Sequence, residues 1–290
     1  MPVIVGIHGI AQQYRGPYQL ADVWLSGIRD GLFAAGHDDT ARALSPEDVR
    51  VAFFGDLFRP PGTMATTDPP YTASDIRPGP ERNLLAALYA AALAGDPALG
   101  EPTGAMRPGV VSVEFMLARL ARSKTFARVA QRAFIRDLKQ VTAFLANPAV
   151  KQAVLRRVRE QIGPDTRVLI GHSLGSVVAY EYLCQDQRRP VELLITVGSP
   201  LGIPNVVFDR LTPTPIAGAG AWPGRVVGWV NVADRDDIVA LRKDLASLFP
   251  GTRPGVRVLD RLVDNGDEPH AIGRYLSAAQ TGSALGDVLR

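Results

Sequence analysis

The segment 170–180, IGHSLGSVVAY, places Ser173 between Gly171 and Gly175 in a G-x-S-x-G spacing. A serine hydroxyl attacks a carbonyl carbon only if a nearby base takes its proton, usually a histidine held in its tautomer by a carboxylate. One histidine follows Ser173 in the chain, His270 in DNGDEPHAIGRYL, and three acids, Asp234, Asp236 and Asp237, follow the apolar run in WVNVADRDDIVAL. Serine, acid, histidine is a chain order that acyl-transfer triads adopt on parallel sheets. The pentapeptide alone decides little: with 11 Ser and 28 Gly in 290 residues it arises by chance in roughly one such chain in ten.

Acyl transfer also needs two N–H donors for the oxyanion of the tetrahedral intermediate. Leu174, directly after the serine, is expected to supply one. The other is expected from Ile10 in HGIAQQ, where Gly9 lets backbone approach substrate closely. His8 reads as shaping this loop and Gln12 as orienting it.

Such residues converge only if something brings them together, and in a parallel sheet the carboxyl ends of the strands do so. Six β-branched runs end in Gly, Asp or Asn: 3–9, 49–55, 167–173, 192–199, 225–234 and 256–264. Most precede a helical pattern, which predicts an α/β fold with a mainly parallel sheet of about six strands flanked by helices. A helix over 17–36 joins the first two, another runs from Ser173 to about 187 before RRP stops it, and a terminal helix follows His270. RVLI before Ser173 and SLGSVVAYEYL after it predict a sharp strand-to-helix turn. Such a turn requires small residues two before and two after the serine, and its helix N-terminus favours negative charge.

The interval between the second and third strands is too long for an ordinary connection. It divides the chain into a core, 1–55 and 166–290, and a mostly helical cap inserted at 56–165. Within the cap, ERNLLAALYAAALAG is apolar on all sides and must be covered all round. Either a helical subdomain buries it, the default, or part of it faces a pocket, where Leu84, Leu85, Leu88, Tyr89 and Leu93 are the residues expected to meet an apolar substrate. The run 118–140 carries Arg119, Arg122, Lys124, Arg128, Arg132, Arg136 and Lys139 against Asp137 alone. It reads as a solvated helix face, with peripheral contact to an anionic membrane or an acidic partner as the alternative.

Composition excludes several classes. A chain with 46% hydrophobic and 21% charged residues and a net charge of +3 is ordinary for a globular protein. The opening MPVIVGIHGI is a strand pattern without the basic region of a secretory signal, which predicts a cytoplasmic protein. The longest apolar run, 84–94, falls short of the about 20 residues needed to span a bilayer. Cys184 sits in YEYLCQ with no charged activator beside it and reads as structural. His8, His37, His172 and His270 show no metal-ligand spacing, no glycine loop for a nucleotide is present, and no basic cluster interleaves with aromatics. Neither metal, cofactor nor nucleic acid is implied.

From IHGI to PHAIGRYL the chain resembles the α/β-hydrolase superfamily. The set HGIAQQ, GHSLGSVVAYEYL, VGSPLGIP, NVADRDDIVALR and PHAIGRYL is similar to lipase-type members, in particular the intracellular phospholipase A1 group, although the chain is much shorter than those proteins. The resemblance implies the α/β-hydrolase fold, a lipase- or esterase-like activity on a carboxylic ester such as a phospholipid, and Asp237 as the acid, because DIVA stands where lipase-like proteins carry DIVP or DPVA. Asp234 and Asp236 remain alternatives for that role. The same triad would also serve a peptidase, amidase, thioesterase or acyltransferase, and a hydrolase scaffold without activity would serve as an interaction module.

Overall fold

Each of the six β-branched runs forms a strand, shorter than the run because its Gly- or Asp-bearing tail turns away: β1 (Ile4–Ile7), β2 (Val49–Ala52), β3 (Val168–His172), β4 (Leu193–Val197), β5 (Gly228–Asp234) and β6 (Val258–Val263). The computed structural model describes residues 3–59, 69–95, 99–100, 111–123, 131–186 and 191–289. Every strand pairing is parallel, and the spatial order is β2-β1-β3-β4-β5-β6. The chain leaves β1 toward β2 and then returns to build β3 on the other side of β1. Between β1 and β3 the direction of winding reverses, and adjacent loops there part to leave a crevice at the strand ends.

Helices cover both faces. On one lie α1 (Pro17–Ala34), which begins with Pro17 in its first turn and is followed by the short α2 (Asp38–Ala43), together with the terminal pair α8 (Ile272–Ser277) and α9 (Ala279–Leu289). On the other lie α6 (Pro148–Gln161), against β2, and α7 (Leu174–Gln185), against β1, β3 and β4. Period-two alternation divides the strand side chains between two cores: Val5, Ile7, Leu169, Leu194 and Trp229 in one, Ile4, Val168, Ile170, Ile195 and Val232 in the other. From Leu174 to Leu183 every residue of α7 is buried, since α6 closes it on the side away from the sheet.

The long interval contributes α3 (Pro80–Gly95), α4 (Val113–Leu120) and α5 (Gln131–Ala146), of which α4 and α5 both pack on α3. The last helix of the interval, α6, belongs to the layer that covers the sheet. There Lys151 Nζ donates to Glu181 Oε1 of α7 at 2.8 Å, and the Thr212 amide donates to the same oxygen at 3.0 Å. Glu181 is fully buried, so its charge depends on Lys151.

Two expectations about the interval are corrected. Helix α3 is not covered all round: Asn83, Ala86, Ala90 and Ala94 form an exposed stripe. Three of the four are alanines, whose exposure costs little. The basic run 118–140 is not one helix, because it spans the end of α4 and the start of α5, and Lys124 and Arg128 lie outside the described residues, as does the RRP stop. Within it Arg119 stacks on the Phe115 ring at 4.9 Å, Arg136 pairs with Asp137 at 2.6 Å and Lys139 with Glu81 at 3.0 Å. Among the described residues no helix is long and apolar enough to cross a membrane, and no cluster of three or more His, Cys, Asp or Glu could hold a metal ion.

Candidate active site

Ser173 occupies the single residue between β3 and α7, with φ 53° and ψ −127°. A non-glycine residue in this region is strained, and the strain is held by packing on both sides. A Cβ on Gly175 would lie 2.0 Å from the Ile7 carbonyl oxygen, and one on Gly171 would lie 2.5 Å from the Ser176 Cα. Both glycines of the motif are thus steric requirements of the turn. The Ser173 amide continues the sheet ladder to the Val197 carbonyl at 3.1 Å. Ser176 Oγ donates to the Ser173 carbonyl at 2.6 Å. Ser199 Oγ accepts the Leu201 amide at 3.2 Å and shares a 2.7 Å hydrogen bond with Ser176 Oγ. The GSPL segment after β4 therefore braces the turn from behind.

His270 and Asp237 meet. His270 Nδ1 donates to Asp237 Oδ2 at 2.7 Å, which leaves Nε2 as the ring nitrogen open to a substrate or hydroxyl proton. Asp237 Oδ1 accepts the Val239 amide at 2.9 Å, and Oδ2 also accepts the Tyr275 hydroxyl at 2.7 Å. Burial by itself would raise the Asp237 pKa, but His270, Tyr275 and the Val239 amide outweigh it and hold the carboxyl below its ordinary value. The other two candidate acids do different work. Asp234 accepts the Asp236 amide at 2.7 Å and the Asn265 amide, which shapes the turn after β5, and Asp236 is exposed.

Two further histidines stand near this pair, His172 half-buried at the cavity and His8 buried. His172 Nε2 is 3.0 Å from the His270 carbonyl oxygen, and the two rings stand 4.8 Å apart. Burial and the neighbouring His270 push His172 down to about 3, so the neutral ring donates an N–H to that carbonyl. His8 accepts the Phe54 amide on Nε2 at 3.1 Å, which places its proton on Nδ1, 2.6 Å from the Gly9 carbonyl. Burial pushes His8 down to about 4. It shapes the β1 loop, as expected, and stacks on Phe54 at 3.9 Å.

The β1 loop reaches the serine. Ala11, with φ 65°, directs its amide to Gln140 Oε1 of α5 at 3.1 Å, and Gln140 also donates to Gln13 Oε1 at 3.1 Å. Within the same loop Gln12 Nε2 donates to the Ile10 carbonyl at 3.2 Å. Among the described residues the Ile10 and Leu174 amides donate to no protein acceptor. Both residues line the cavity that contains Ser173 and His270.

That cavity measures about 390 Å³. Leu84 and Leu88 of α3 line it, but Leu85, Tyr89 and Leu93 do not. Leu85 and Tyr89 point into the core, where the Tyr89 hydroxyl donates to the Gly100 carbonyl at 3.3 Å, and Leu93 is partly buried against the same core. Sequence reasoning missed the rest of the lining: Phe134, Leu138 and Val141 of α5, and the residues Ile203, Val207 and Val239. The α5 set repeats at helical spacing, but flanking arginines and lysines made the segment read as a charged face. Cys184 stays outside the cavity, and burial raises its thiol to about 12, against the thiolate form.

No protein-family model, curated protein or solved structure matches the chain. The chemistry of the site is that of the geometry above.

Proposed function

We propose that the protein is a serine hydrolase of the α/β-hydrolase type that cleaves a carboxylic ester. The observation that carries the reading is the 2.7 Å hydrogen bond by which buried Asp237 holds His270, a residue that lines the same cavity as Ser173 on its strained turn. Ser173 Oγ attacks the ester carbonyl carbon while His270 Nε2 takes its proton, and Asp237 orients the imidazole and balances its charge. The Ile10 and Leu174 amides hold the oxyanion, and the N-terminus of α7 adds to their field. Collapse of the tetrahedral intermediate breaks the bond to the alkoxide, which leaves with the proton from His270. Water, deprotonated by the same histidine, then releases the carboxylic acid from the acyl-serine.

The wall formed by α3 and α5 acts in this reading as a cap that covers the acyl group. Ligand cavities range over about 300–1,000 Å³. At about 390 Å³ and with mainly aliphatic lining, this one suits a single short or medium acyl chain. A fluorophosphonate probe tests the proposal: it should label wild-type protein on Ser173 and leave Ser173→Ala unlabelled. A panel of p-nitrophenyl esters, acyl thioesters and aminoacyl amides should show turnover of the esters, and turnover of amides alone would overturn the ester reading. Folded wild-type protein that takes no label would make it an interaction module.

A further inference from the structure

We infer that Tyr275 is the positioning residue of the Asp237–His270 pair: its hydroxyl fixes the rotation of the Asp237 carboxylate and shares its charge. The inference rests on the hydrolase reading above and assigns a role to a side chain that touches no substrate.

Tyr275 lies on α8, fully buried, and is not among the residues that line the cavity. Its oxygen accepts the Asp234 amide at 2.9 Å. The one hydroxyl proton therefore goes to its other partner among the described residues, Asp237 Oδ2, at 2.7 Å. Tyr275 thus bridges the end of β5, where Asp234 stands, to the acid three residues later. The Val239 amide holds the other carboxylate oxygen at 2.9 Å. With both oxygens held, the carboxylate plane cannot turn, and His270 Nδ1 finds Oδ2 without reorganisation. Burial keeps the phenol protonated, so it remains a donor throughout the pH range in which Asp237 is ionised.

The other charged or titratable groups around Asp237 are His270, His172, Asp234, Asp236 and Lys243, whose Nζ donates to the Asp237 carbonyl oxygen. A Tyr275→Phe substitution keeps all of them and removes only the hydroxyl. Two effects should follow. Loss of orientation lowers kcat by about tenfold, with KM unchanged because Tyr275 does not line the cavity. Loss of charge sharing leaves Asp237 more negative toward the imidazole, so the acid limb of the kcat/KM profile moves up by about half a pH unit.

The experiment compares pH profiles of p-nitrophenyl ester hydrolysis for wild type and Tyr275→Phe, with fluorophosphonate labelling of both. A purely structural tyrosine would lower the active fraction without moving the limb. Should the Phe variant fail to fold because the Asp234 amide loses its acceptor, a fluorinated tyrosine at 275 keeps both hydrogen bonds. As a stronger donor it should move the limb down instead. An unmoved limb, or a KM that rises as kcat falls, overturns the inference while the wild type still labels on Ser173. Absence of that label in folded wild type overturns the hydrolase reading itself, and the inference with it.

Discussion

Gly9 stands so close to Ser173 that a Cβ added to it would lie 2.8 Å from the Ser173 Cβ and 3.2 Å from the His172 carbonyl oxygen. The loop after β1 and the turn after β3 therefore touch through backbone, at the crevice where the strand order reverses. Gly9→Ala must push the loop away and carry the Ile10 amide with it. We expect ester hydrolysis to fall by about a hundredfold in kcat, the scale of a lost oxyanion donor, while the protein still folds. Steady-state kinetics together with urea unfolding check this. Activity near the wild-type level would show that the Ile10 amide plays no part.

The backbone of Ser173 stores strain that glycine would release. Ser173→Gly should be more stable than Ser173→Ala by about 1 kcal/mol, since alanine keeps a Cβ at φ 53°. Both variants should be inactive. Equal unfolding midpoints for the two would show that the turn is unstrained.

Neighbouring leucines on α3 should behave differently. Leu88→Trp fills part of the cavity and should shift preference toward shorter acyl chains, with discrimination of about tenfold or more against the longest ester accepted by the wild type. Leu85→Ala opens a hole in the core instead. It should cost about 2–5 kcal/mol and leave chain-length preference unchanged. A p-nitrophenyl ester series from acetate upward, run beside unfolding curves, distinguishes the two. Loss of chain-length selectivity in Leu85→Ala would contradict this assignment of the cavity wall.

Acid should destabilise the fold through His8 and His172. Their ordinary pKa is 6.5, and burial lowers it to about 4 in His8 and about 3 in His172. The unfolded chain takes up protons as pH drops through 6.5, and the folded protein does so only below the lowered values. Stability is thus fully present above 6.5 and falls toward pH 4 by about 1.4 kcal/mol per pH unit for each histidine. His8→Gln should remove about one such increment from the slope of unfolding free energy against pH over that window. A slope identical to wild type would count against a buried neutral His8.

The strands and the elbow were legible because their signals are local: β-branched runs, and two glycines whose spacing the turn demands. The order of Ser173, Asp237 and His270 was legible too, since each follows a strand. Other parts depend on geometry that no local pattern carries. A helix apolar on all sides has no phase, so α3 could not show that Leu84 and Leu88 face the cavity while Leu85 and Tyr89 face the core. On α5 a phase existed in Phe134, Leu138 and Val141, hidden among basic residues. The choice of Asp237 over Asp234 came from resemblance alone, and the Tyr275 bridge was invisible because it joins elements about forty residues apart, Asp234 to Tyr275.

The ion pair between Lys151 and Glu181 marks where the protein can be cut and rejoined. Leu84, Leu88, Phe134, Leu138 and Val141 of α3 and α5 line the cavity, and Gln140 meets the β1 loop through neutral amides, so a transplanted segment ending before Asn147 would re-tailor the cavity and leave Glu181 its partner Lys151. A graft that runs past Lys151 would strand a carboxylate inside the helix behind Ser173. The seam for substrate engineering therefore runs through the α5–α6 junction, one helix short of the third strand.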